Sequence, residues 1–189
     1  MVGFAYNARK AAQAAAYLVD LNKGRLNVLS LIKLLYLADR KALVLRGRPI
    51  TGDRMVSMPH GPVLSRIYDQ IKCEDQDMTD GLAWYEYLTE RQDREISLRN
   101  PNFQTDELSD FERGILRDIH SEYGQHSPST LRAMTHELPE YEDPDGSSLP
   151  IEPETILRQE GWSDSDIYDA AMSAREESFF NKLMAVPQV

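Results

Sequence analysis

Apolar residues along this chain recur mostly at helical spacing, and the longest such run is also the least ordinary. Between Val28 and Arg46, the positions Val28, Ile32, Leu35, Ala42 and Leu43 share one side of a helix at ~100° per residue. Ser30, Lys33, Leu37, Arg40 and Lys41 share the other side, and Asp39 falls in the middle of the apolar one. The run is so rich in leucine that the helix is expected to be buried almost all round. An unpaired buried carboxylate is too costly to leave alone, so Asp39 should find a cation or a hydrogen-bond donor. Arg54, Arg66 and His60 are the candidates. Lys33 and Arg40, seven residues apart, are read as outward-facing charge that solvent, a partner or a phosphate could meet.

Other elements follow from the same pattern. Phe4, Ala8, Ala11, Ala15, Leu18 and Val19 form one stripe of a helix over 4–23, stopped by Gly24. Asn27 caps the second helix, which ends at Gly47 with Pro49 just beyond. Thr51-Gly52-Asp53 reads as a turn, Arg54 to Met58 as a short strand, and Pro62 as the first residue of a third helix. Alternation around Trp84, Tyr85 and Tyr87 predicts a strand over 83–88, forming a hairpin with a second strand over 95–99. Ser109 and Glu112 make a capping box for a helix ending at Gly124, and Ser127-Pro128 opens a short one through His136. Past the proline-rich acidic stretch LPEYEDPDGSSLPIEP come two more helices, over 153–160 and 163–184. The class is therefore α+β, predominantly α-helical, with six or seven helices and a small antiparallel β element.

At 189 residues the chain is long enough for one domain with a real core. Charge divides it unevenly: residues 1–72 carry 12 Lys and Arg against 4 Asp and Glu, and residues 73–189 carry 9 against 27. An acidic chain repels nucleic acid and favours a basic partner, although the basic first third leaves local phosphate binding open. A single cysteine, Cys73, excludes an internal disulfide framework and reads as a passive thiol. No signal-peptide pattern and no apolar run of ~18 residues occurs, which gives a cytoplasmic reading without a membrane segment.

Catalytic templates are missing: there is no G-x-S-x-G elbow, no phosphate-binding GxxxxGK[ST], no G-x-G-x-x-G and no H-E-x-x-H. A zinc site from His120, His126, His136 and a nearby acid would need the fold to gather residues that share no helix face. No metal and no cofactor is expected. His60 stands between Pro59 and Pro62, where it either fixes the loop or serves as a recognition or acid–base group at a cleft. Trp84, Tyr85 and Tyr87 could stack a base, but one side of an alternating strand is simply core. Near the C-terminus, Phe179, Phe180 and Leu183 exceed what one helical stripe can bury and suit a partner contact.

These same residues carry a resemblance. KLLYLADR (Lys33 to Arg40), GRPITGD (Gly47 to Asp53), MPHGPV (Met58 to Val63) and the helix start at Ser65 to Tyr68 resemble the Panacea domain, also called the SocA-like antitoxin or GepA-type phage-associated domain. A weaker similarity runs through Leu108 to Tyr141, so that most of residues 25 to 145 are covered. The resemblance assigns 1–147 to this domain and leaves 148–189 as a C-terminal helical extension packed on it. Lys33, Tyr36, Asp39, Arg40, Asp53, His60, Gly61, Pro62, Arg66 and Tyr68 are the signature positions it marks, structural or recognitional.

The resemblance implies a helical fold with a small antiparallel sheet. It also implies the antitoxin of a bacterial or phage toxin–antitoxin system, which neutralises a cognate toxin by direct contact and catalyses nothing. The −18 charge of residues 73–189 would suit a basic toxin. A homo-oligomer is compatible with the sequence. Three other readings stay open: an adaptor that delivers the toxin to a protease, a hydrolase built on His60 and Asp39, and a nucleic-acid-binding regulator that uses the basic first third.

Overall fold

The computed structural model describes residues 3–72 and 78–184, with side-chain burial described over 3–72 and 82–180. Cys73 and the side chain of Leu183 thus lie outside the described residues. At the centre stands α2 (Val28–Arg46). Asn27 starts it by accepting from the Leu29 N–H at 3.0 Å and from the Ser30 N–H, and Gly47 ends it in the left-handed conformation at φ 67°. Every residue from Ser30 to Asp39 is buried, because α1 (Ala8–Leu21), α5 (Asp110–Tyr123), α6 (Pro128–His136) and α7 (Pro153–Gln159) surround it. Leu31, Leu34 and Leu35 lose essentially all their exposure, each contributing about 1.5–3 kcal/mol.

Helix α1 begins later than its apolar stripe predicts. Asn7, itself extended, caps it by accepting from the Lys10 N–H at 2.9 Å, and its own N–H donates to the Thr51 carbonyl at 3.0 Å, so residues 4–7 lie outside the helix. There Gly52, at φ 71°, lies so close to the Ala5 carbonyl that a Cβ would meet its oxygen at 2.2 Å. Five fully buried alanines on α1 let neighbouring helices approach closely.

The stretch predicted as a strand over 83–88 is instead the end of α4 (Met78–Tyr87). Trp84 and Tyr87, at helical spacing, are buried, as is Leu88 just past the helix end, so over six residues a helical stripe had mimicked alternation. Trp84 and Tyr87 are core rather than a stacking surface. The expected hairpin survives just beyond the helix, where Leu88 bridges Leu98 and the Thr89 N–H donates to the Ser97 carbonyl at 3.0 Å. On its other side, β4 (Glu95–Ser97) pairs antiparallel with β1 (Arg25–Asn27), placing Leu26 opposite Ile96. A second sheet runs in the order β3 (Val63–Leu64), β2 (Met55–Ser57), β5 (Leu149–Pro150), antiparallel throughout. Pairing of Val63 and Leu64 with β2 holds off α3 (Ser65–Lys72), which starts three residues later than Pro62 suggested.

Asn27, Ser109–Glu112 and Ser127–Pro128 act as the expected helix starts. The last helix, α8 (Asp164–Met184), follows α7 after a turn at Gly161-Trp162. Trp162 donates from Nε1 to the Val44 carbonyl at 3.1 Å, and Trp162 and Ala170 both close on Gly47. The class is α+β and mainly helical, with eight helices among the described residues; α4 is the one the sequence pattern did not supply.

Candidate functional site

Three signature side chains of α2, Lys33, Tyr36 and Arg40, lie on one face at i, i+3 and i+7. That face does not look outward, as the spacing of Lys33 and Arg40 had suggested. Lys33 is 0% exposed and donates from Nζ to the Pro62 carbonyl at 2.8 Å. Burial, reinforced by the charge of Arg132, lowers its pKa to about 7. Gly61 makes this approach feasible. At φ 90° it packs so tightly that a Cβ would stand 2.9 Å from Lys33 Nζ, 2.9 Å from His136 Cδ2 and 3.0 Å from Thr135 Oγ1.

One and two turns further on, Tyr36 and Arg40 converge on Glu140. The Tyr36 hydroxyl donates to Glu140 Oε1 at 2.8 Å, and Arg40 grips both oxygens from Nε at 2.7 Å and Nη2 at 3.1 Å. Arg40 Nη2 also reaches Glu160 Oε1 at 2.7 Å. Burial opposes the Arg40 charge, but the two carboxylates outweigh it and hold the guanidinium above its ordinary value. Burial together with Glu140 raises the Tyr36 hydroxyl as well. This seam fastens α2 to the segment after α6 and to the end of α7.

Asp39 faces a different direction and has none of the predicted cationic partners. Its Oδ1 accepts the Ile50 and Thr51 N–H groups, each at 3.1 Å, and its Oδ2 takes the Thr51 hydroxyl at 2.5 Å. Burial raises its pKa to about 7 against the pull of these bonds. Arg54 and Arg66 serve elsewhere: their backbone N–H groups, with that of Ile67, donate to Asp53 at 2.7, 3.1 and 3.0 Å. Asp53 therefore caps α3 across the strand pair. The Arg66 guanidinium lies over the Tyr6 ring, 5.0 Å from its centroid.

His60 and Tyr68 part company with this brace. His60 is exposed, and both residues line a groove of about 470 Å³ at the start of α2. Val28, Ile32 and Ile71 form its apolar part, with Lys72, Arg91 and Arg94 on the rim and Asp93 as the one acid among the described lining residues. A hydrolase on His60 and Asp39 needs both accessible in one cleft, yet Asp39 is 1% exposed with both oxygens engaged. Nor are the histidines gathered: among the described residues, no group of three or more His, Cys, Asp or Glu is placed to hold a metal ion. His120 packs at Gly124, and His136 stacks on Tyr141 at 4.4 Å.

A family model described as the antitoxin SocA-like, Panacea domain matches residues 31–141. The chain belongs to this family. Comparison with curated proteins and with solved structures found no match. The Panacea match spans both halves of the brace, from the α2 residues to Glu140 and Tyr141. Membership brings an antitoxin role in general and points away from catalysis. No described helix is long and apolar enough to cross a membrane.

Sequence reading missed Glu140, Glu160, Thr135 and His136 as members of this site. Arg40 and Glu140 are 100 residues apart, and nothing local to LPEY announces that its glutamate is buried. Thr51, the partner of Asp39, stood inside the GRPITGD motif and was legible there only as a turn residue.

Proposed function

We propose that this protein is the antitoxin of a bacterial or phage toxin–antitoxin pair and neutralises its toxin by direct protein contact in the cytoplasm. The observation that carries this reading is the Panacea match over 31–141, in a domain whose signature polar residues are mostly spent on internal bonds. A scaffold that commits Lys33, Tyr36, Asp39, Arg40 and Asp53 to holding itself together keeps few of them for chemistry. The segment 148–189 belongs to the same binding unit as an extension of it, supported by the Trp162–Val44 bond and by β5 joining β2. Charge supports the kind of partner. With 27 Asp and Glu against 9 Lys and Arg over residues 73–189, the protein attracts a basic toxin and speeds its capture.

Co-expression tests the reading directly. The product of the neighbouring reading frame should arrest growth alone and be harmless together with this protein, and the two should co-purify. If no adjacent product is toxic, or rescue occurs without a complex, the proposal fails. Following the toxin's half-life with and without the protein separates neutralisation, which leaves it unchanged, from delivery to a protease, which shortens it.

A further inference from the structure

Two surfaces among the described residues have matching chemistries. The first is the groove at the N-terminal end of α2, with its apolar lining from Val28, Ile32 and Ile71 and the exposed cations Lys72, Arg91 and Arg94 on its rim. Among the described residues lining the groove, Asp93 is the one acid. The second is the outer face of α8. Tyr168, Phe179 and Phe180 are 64%, 63% and 62% exposed there, and the two phenylalanine rings touch edge to face. Between Asp164 and Phe180 this helix carries five carboxylates and one arginine. Exposed aromatics at this density on one helix mark a contact surface.

The two surfaces cannot meet within one molecule. Helix α8 is fixed to the C-terminal end of α2, where Ala170 and Trp162 close on Gly47, Trp162 bonds Val44, and Arg48 pairs with Glu177. The groove includes Asn27, Val28 and Leu29 at the opposite end. The 19 residues of α2 separate these ends by about 28 Å at ~1.5 Å per residue. A two-fold rotation that sets the groove of one copy on α8 of another forms the reverse contact as well. Such a two-fold arrangement closes on itself and uses both pairs of surfaces.

The geometry points to a homodimer in which the acidic, aromatic face of α8 from each copy occupies the basic apolar groove of the other. An amphipathic helix in a hydrophobic groove is a recurring mode of association, read here by Phe179 and Phe180 as anchors and by Asp169 and Glu176 against Arg91 and Arg94. Because the charged part of the contact is exposed, association weakens as salt rises. The dimer stands independently of the toxin reading, and its test needs no toxin.

Sedimentation equilibrium on the full chain, at 50 mM and 500 mM salt, supplies the test. The wild type should dimerise and lose at least tenfold in affinity at the higher salt. The groove variant R91E/R94E and the helix variant D169R/E176R should each be monomeric, with circular dichroism confirming that they fold. Mixed one to one, they should form a heterodimer, because reversed charges face each other in one contact and native charges in the other. F179S/F180S, changed only at exposed positions, should be monomeric too and replaces either charge variant that fails to fold. A monomeric wild type overturns the proposal, as does a dimer that survives the aromatic variant. A monomer whose groove variants lose toxin binding would give the groove to the toxin and overturn it as well.

Discussion

At the scale of single residues, signature positions divide into those that brace and those that face solvent. Glu140 belongs with the first: its side chain is wholly buried and receives three hydrogen bonds from Tyr36 and Arg40. Removing it strands the Tyr36 hydroxyl and leaves Arg40 only Glu160. Glu140→Ala should therefore cost about 2–4 kcal/mol in urea unfolding, and Tyr36→Phe about 1–2 kcal/mol. The two should be non-additive, since the second change removes a donor that the first has already orphaned. His60 is the contrast, exposed on the groove with its neighbour Gly61 pressed against Lys33 and His136. His60→Ala should stay within about 0.5 kcal/mol of wild type, whereas Gly61→Ala, at φ 90°, should cost several times more. Equal losses for the two in a thermal melt would refute this division of labour.

Elements show why some of the fold was legible in the sequence and some was not. Helix α2 was, because its cap Asn27, its left-handed Gly47 and its apolar run all point the same way. The capping box at Ser109 and Glu112 was equally local. Helix α4 was misread because six residues of aromatic alternation fit either period, and what decides them is packing against α1. The start of α3 depended on two long-range events, pairing of Val63 and Leu64 with β2 and capping by Asp53 from 12 residues upstream of Ser65. The latter predicts a specific weakness. Asp53 accepts the N–H groups of Arg54, Arg66 and Ile67, so Asp53→Ala leaves three donors unmet at the junction of β2 and α3. It should lower stability by about 2–3 kcal/mol, with Asp53→Asn recovering part. Amide exchange at residues 66–68 would register the change, and unaltered protection there would show that α3 starts without this cap.

For the molecule as a whole, burying an acid and a base in one helix sets how stability responds to pH. Asp39 has a native pKa of about 7 against 3.8 ordinarily, so between those values the folded state holds a proton that the unfolded chain releases. Stability therefore falls as pH climbs from 4 to 7. Lys33 has a native pKa of about 7 against 10.5, so above pH 7 the folded state has lost a proton that the unfolded chain still keeps. Stability from this group rises from pH 7 towards 10. Both contributions place the least stable point set by these two groups near neutrality. On the alkaline side, the maximum slope of ~1.4 kcal/mol per pH unit implies a gain of about 2 kcal/mol between pH 7 and 9. Lys33→Met keeps the aliphatic volume and removes the titration, so its urea-unfolding free energy should be nearly flat over the same interval. Asp39→Asn should leave that alkaline rise intact while shrinking the fall between pH 5 and 7, to which Asp53, its carboxyl also raised by burial, still contributes. If wild type and Lys33→Met gain equally from pH 7 to 9, the rise comes from other groups and Lys33 enters the core without losing its proton.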